Sequence, residues 1–255
     1  MDLQLNGRAC IVTGASIGIG VGIAKVLARE GACVALVARR LDLLEKVAAE
    51  IFEQTGTRPL IIAEDLTTAD GPQNVINKAI EAFGQVDVLI NNAGASMPVE
   101  SGTSDEIEAV WDKSFALNFT AIRRLTDAAL PSMKANGWGR IINVTGYMEP
   151  RHLNAAYSAK AAVNVWSKGL SCVVAKEGIT INCIAPGLIR SEQIMDRLMP
   201  DDTARQEFID ANIPTGRLGE PEDIGQVVTF LASPLARLVT GVLLPVDDGM
   251  HYFAG

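Results

Sequence analysis

Seven short apolar runs rich in β-branched residues recur along this chain, at residues 9–13, 33–38, 60–63, 86–90, 140–144, 179–185 and 242–246. Most are near-continuous rather than alternating, the pattern of strands covered on both faces. Between them lie helix-periodic segments at 20–30, 41–54, 71–82, 107–134, 155–177 and 222–231. Repeated strand–helix–strand order of this kind predicts an α/β fold, a doubly wound, seven-stranded parallel sheet with helices on both faces.

Domain organisation follows from what interrupts that rhythm. No proline-rich linker, internal repeat or charge block separates the 255 residues into parts, so residues 1–255 read as a single domain. Only the stretch 190–219 departs from the alternation, with Pro200, Pro214 and a polar turn at Pro200-Asp201-Asp202-Thr203. Open sheets bind ligands beyond the carboxyl ends of their strands, so this stretch is expected to be a substrate lid.

Composition excludes several classes. Hydrophobic residues at 48% and charged residues at 20% are close to the globular average, which argues against disorder, a collagen repeat or a coiled coil. Thirty acidic against 22 basic side chains give a net charge of -8, which repels phosphate backbones, so nucleic acid is not an expected partner. Cys10, Cys33, Cys172 and Cys183 lie far apart in apolar stretches, with neither metal nor redox spacing, and are expected to be buried free thiols. Residues 1–8 lack a basic segment followed by an apolar one, and no apolar run is long enough to span a bilayer. A cytoplasmic protein with no membrane partner is the expectation.

The first strand runs directly into Thr13-Gly14-Ala15-Ser16-Ile17-Gly18-Ile19-Gly20, and a helix opens at once. Glycines in such a turn let the backbone approach a pyrophosphate, which then rests at the positive end of the helix. A carboxylate at the end of the second strand would read the ribose hydroxyls of NAD; here Ala38 stands there, followed by Arg39-Arg40. Guanidinium groups suit the additional 2′-phosphate of NADP, so NADP(H) is the preferred cofactor and NAD(H) the second.

Further motifs follow in order: Asp65 after the third strand, Asn91-Asn92-Ala93-Gly94 after the fourth, Asn118 in the long helix, Pro186-Gly187 after the sixth strand, and Val246-Asp247-Asp248-Gly249 near the end. With the glycine turn they make the chain resemble the short-chain dehydrogenase/reductases over almost its whole length. The resemblance implies a Rossmann-type, NADP(H)-dependent oxidoreductase acting on a small carbonyl or alcohol substrate, 3-oxoacyl reductase-like or specific for a small ketone or sugar. It further implies a cofactor site built from Gly14, Ser16, Ile17, Gly18, Ile19, Gly20, Arg39, Arg40, Asp65, Leu66, Asn92, Ala93, Gly94, Pro186 and Gly187. Ile189 and Ser191 would hold the nicotinamide carboxamide, and Tyr157 and Lys160 would complete the site.

In that family a tyrosine donates the proton, helped by a lysine, a serine and an asparagine. The lysine lowers the tyrosine pKa and holds the ribose, and the serine polarises the carbonyl. The resemblance therefore assigns Asn118, Thr145, Tyr157 and Lys160 as catalytic. Two departures stand out. Tyr157 and Lys160 are three apart where the family has four, a difference of about 1.5 Å in rise and roughly 100° around a helix. If Lys160 keeps the family position, Ala156 fills the tyrosine slot and Tyr157 points aside. Gly146 falls where the serine belongs, leaving Thr145 as the nearest hydroxyl, and alternation along a strand can turn it away. Tyr147 and His152 remain as other donors.

These departures motivate an alternative: a relative that binds NADP(H) with impaired catalysis and acts as a sensor or assembly partner. The segments 107–134 and 155–177 carry apolar residues around much of their circumference and need burial on more than one side, so a homotetramer, or else a dimer, is expected.

Overall fold

The structure is a computed structural model describing residues 2–146, 149–150 and 152–252. Seven parallel strands lie in the order β3-β2-β1-β4-β5-β6-β7. They are β1 (Ala9–Thr13), β2 (Cys33–Ala38), β3 (Leu60–Ala63), β4 (Val88–Asn91), β5 (Gly139–Val144), β6 (Ile179–Pro186) and β7 (Leu243–Val246). The chain winds outward from β1 through β2 to β3, then returns to pair β4 against the other side of β1. The carboxyl ends of β1 and β4 therefore border the crevice where the order reverses, the place such sheets bind ligands.

Helices α1 (Ile19–Arg29), α2 (Leu41–Thr55) and α8 (Pro221–Ala232) cover one face. They bury Ile23, Leu27, Leu44, Ile224 and Val228 against Val12, Leu36 and Ile142 of the sheet. Helices α3 (Gly71–Phe83) and α5 (Ala121–Asn136) cover the other, with Val75, Ile76, Leu125 and Met133 against Ile11, Val37 and Ile141. The continuous apolar runs are explained by this double coverage: every residue of β1, β4, β5 and β6 is buried.

The expected single helix over 107–134 is two helices joined by a bulge. Helix α4 (Ser104–Phe115) starts earlier than its apolar period, because Thr103 and Glu106 form a capping box that organises a polar first turn. A π-helical turn, Ala116–Thr120, then separates α4 from α5. At its centre the Asn118 amide donates to the Ser114 carbonyl at 3.1 Å, competing with the helical ladder. Helix α6 (Ala155–Val174) continues as a 3-10 turn to Glu177. Within 190–219 the structure has a π-helical turn, Gln193–Leu198, and helix α7 (Asp202–Asn212), capped by Asp201.

One expectation about the cysteines is corrected. Cys10 and Cys183 are buried, but Cys33 is only partly covered and Cys172 is exposed, since α6 turns that side chain outward from its apolar stretch. Among the described residues no helix is long and apolar enough to cross a membrane.

Candidate active site

The glycine turn joins β1 to α1 at the crevice. Gly14 has φ +66°, and a Cβ there would sit 2.9 Å from Ala93 Cα, so the turn and the segment after β4 approach too closely for any side chain. Thr13 locks the two together. Its hydroxyl accepts the Asn92 and Ala93 N–H groups, each at 3.0 Å, and donates to the Ile90 carbonyl at 3.2 Å. The Asn92 amide donates in return to the Thr13 carbonyl at 3.0 Å.

Gly18, with φ +59°, begins α1 without any side-chain cap, and Ile19 and Gly20 form its first turn. Uncapped N–H groups at a helix start, over a loop bare of side chains except the half-covered Ser16 and Ile17, fit a pyrophosphate. Ser191 closes over this turn, its Cβ 3.1 Å from where a Cβ on Gly18 would be.

At the end of β2, Arg39 and Arg40 are both exposed. Arg40 pairs with Glu192 at 3.7 Å, and Arg197 reaches the same carboxylate at 3.8 Å. Asp65 is held below the usual carboxylate range mainly by hydrogen bonds from the Thr67 hydroxyl and backbone, with a smaller contribution from the Arg39 charge. Leu66 beside it is buried. Beyond β6, Pro186 closes the strand and Gly187 packs against Asp247, while Ile189 bridges Gly219 and so ties the two ends of the 190–219 segment. Gly187, Ile189, Arg217, Asp223, Asp247 and Met250 are among the residues lining a cavity of about 220 Å³ at the carboxyl ends of β6 and β7.

The reaction centre is arranged by α6. Asn154 caps this helix, accepting the Ala156 N–H at 3.0 Å, and it binds the segment after β4 by accepting the Met97 N–H and donating to Ser96 Oγ. This cap fixes a helix beginning at Ala155. Ala156, buried to 3% exposure, consequently lies one turn before Lys160 on the same face. Tyr157 is rotated away; its hydroxyl lies 3.5 Å from His152 Nε2, with the rings edge to face. Burial pushes the Tyr157 phenol above its usual pKa.

Lys160 reaches across to β5, donating to the Thr145 carbonyl. Burial pulls its ammonium down to about 8. Asn118 is fully buried in the bulge, where its Oδ1 accepts the Ala95 N–H at 3.1 Å. Its Oδ1 and Lys160 Nζ both lie within 4 Å of a Cβ position on Gly94. Thr145 is 1% exposed and its hydroxyl donates to the Ile184 carbonyl at 3.0 Å, inside the sheet. Asn118, Gly94, Thr145 and Lys160 are thus brought together, with the Thr145 hydroxyl facing away from the crevice, while Tyr157 pairs with His152. Tyr147 lies outside the described residues.

Two residues escape a reading of the sequence motifs. Asn154 carries a recognisable signal, a capping residue before an apolar helix. Glu192 carries none, because its partner is 152 positions away.

A doubly wound parallel sheet with a glycine-rich turn at its switch point defines a dinucleotide-binding architecture. The family model described as Enoyl-(Acyl carrier protein) reductase matches residues 14–251. The chain is 37% identical over 252 residues to 2,5-dichloro-2,5-cyclohexadiene-1,4-diol dehydrogenase LinX of Sphingobium indicum, covering 98% of each. It is 35% identical over 257 residues to 3-oxoacyl-[acyl-carrier-protein] reductase FabG of Vibrio cholerae, covering 98% of this chain and 99% of that one. L-sorbose reductase of Gluconobacter frateurii, solved with NADPH and L-sorbose, superposes over all of both chains with a TM-score of 0.92 at 31% identity. The chain belongs to the short-chain dehydrogenase/reductase family and is one of its oxidoreductases.

Proposed function

We propose that this chain is an NADP(H)-dependent reductase or dehydrogenase that interconverts a carbonyl and an alcohol, with 3-oxoacyl thioesters, sugars and small ketones as the substrate classes. The observation that carries the reading is the uncapped start of α1 at a glycine-rich turn, with Ala38 in place of a ribose-reading carboxylate and Arg39 and Arg40 exposed just beyond it. The NADPH bound by the sorbose reductase, and the NADP bound by a 3-oxoacyl reductase of Agrobacterium tumefaciens with a TM-score of 0.89, support it.

In this reading Gly14 to Gly20 take the pyrophosphate, Asp65 and Leu66 flank the adenine, and Asn92 to Gly94 line its ribose. Ile189 and Ser191 position the carboxamide, and Pro186-Gly187 shape the floor beneath it. The bound dinucleotide supplies or accepts hydride; the protein orients it and handles the proton. Lys160 holds the nicotinamide ribose, and Asn118 secures the backbone beside it. The segment 190–219 serves as the lid. Its apolar cluster of Ile209, Ile213 and Leu218, packed with Leu188, Met195 and Met250, suits a partly apolar substrate.

Absorbance of NADPH followed against a panel of ketones, 3-oxoacyl thioesters and sugars tests this function. Oxidation with at least one class is expected. A second reading is favoured by the Tyr157–His152 pairing: an NADP(H)-binding relative with impaired catalysis. NADPH binding without turnover across the panel would establish that reading and overturn the first.

A further inference from the structure

Among the described residues, the positions beside the lysine where the family carries hydroxyls hold Ala156 and Gly146 instead. Ala156, one turn earlier, offers only a methyl group. Gly146 offers none: a Cβ there would lie 3.6 Å from Lys160 Nζ. Gly94 closes the third side, with a Cβ position 3.8 Å from the same nitrogen. Three minimal residues, from α6, the segment after β5 and the segment after β4, thus set no hydroxyl or bulky side chain of their own beside Lys160 Nζ. Among the described residues its hydrogen-bond acceptor is the Thr145 carbonyl, and an ammonium carries three N–H donors in all. Of the described hydroxyls nearby, Thr145 turns to Ile184 and Tyr157 to His152.

We propose that Lys160 itself is the acid of the reaction, passing a proton from Nζ to the substrate oxygen on the side where Ala156, Gly146 and Gly94 supply no hydroxyl. The inference rests on the NADP(H)-dependent reading above. During reduction the carbonyl carbon gains hydride, the π electron pair moves onto oxygen, and that oxygen takes a proton from the ammonium. The N–H bond breaks, an O–H bond forms, and the neutral amine is reprotonated from solvent. Oxidation runs the same path backwards, with the neutral amine as base. The lowered pKa of Lys160, caused by burial, suits both directions.

Two measurements on the full-length protein test the proposal. Competitive labelling with trace acetic anhydride, read by mass spectrometry as a function of pH, follows the free amine of Lys160 without any turnover. A midpoint near 8 is expected, and a midpoint near that of an exposed lysine overturns the proposal. Lys160→Arg keeps the cation and its reach but cannot release a proton. With folding checked by circular dichroism and NADPH supplied at saturation, reduction should fall by about a hundredfold or more. Ala156→Tyr in the Lys160→Arg background should restore part of that rate by supplying a phenol. Reduction undiminished in Lys160→Arg overturns the role of Lys160 as acid and leaves the cofactor assignment intact. Failure of the wild type to bind NADPH overturns the underlying reading instead.

Discussion

Arg40, at the start of α2, reaches Glu192 of the 190–219 segment at 3.7 Å, across the groove that begins at the glycine turn. A 2′-phosphate bound by Arg40 would displace this carboxylate or be repelled by it. Glu192→Gln is therefore expected to tighten NADPH binding by about twofold to fivefold, the scale of a partly exposed ion pair, and to leave NADH unchanged. Fluorescence titration of both nucleotides measures this; a loss of NADPH affinity would remove the competition.

The arginines themselves are testable together. Arg39→Ala with Arg40→Ala should narrow the preference for NADPH over NADH by roughly 1–3 kcal/mol, the contribution of charge-assisted bonds to one phosphate. An unchanged ratio of dissociation constants would show that the 2′-phosphate is read elsewhere.

Thr13 holds β1 to the strand end at Asn92 through one hydroxyl that accepts two N–H groups. Thr13→Val preserves the shape and leaves those donors without a partner, which costs about 1–3 kcal/mol. For a chain of this size the melting temperature should fall by roughly 2–4 °C per kcal/mol, read by calorimetry. NADPH affinity should drop with it, because the same bonds hold the glycine turn.

Helix α6 leaves Val165 at 76% and Val173 at 67% exposure, apolar surface that association would cover. A homotetramer is predicted, with a dimer as second choice. Light scattering at micromolar concentration would return a multiple of the 27.1 kDa chain mass, and a monomer mass would refute both.

How much of this was legible in the sequence divides along physical lines. The strands covered on both faces write themselves as continuous apolar runs, so β1, β2 and β3 have the bounds their composition predicts. The glycine turn is equally visible, since its spacing is local. The break at Ala116–Thr120 is not, because the apolar period persists through it while the Asn118 side chain takes over the Ser114 carbonyl. At the centre, spacing alone left Tyr157 and Ala156 as rivals for one slot. What separates them is the Asn154 cap, whose contacts to Ser96 and Met97 are far away in sequence. Glu192 was silent for the same reason.

With the proposed acid at Lys160 and Tyr157 facing His152, one variant separates the two positions most directly. Turnover of Tyr157→Phe, compared with wild type on a substrate from the NADPH panel, is predicted to stay within about twofold, since the lost hydroxyl takes no part in the proton transfer. A fall of about a hundredfold, with NADPH affinity unchanged, is what removal of a general acid produces and would contradict the account.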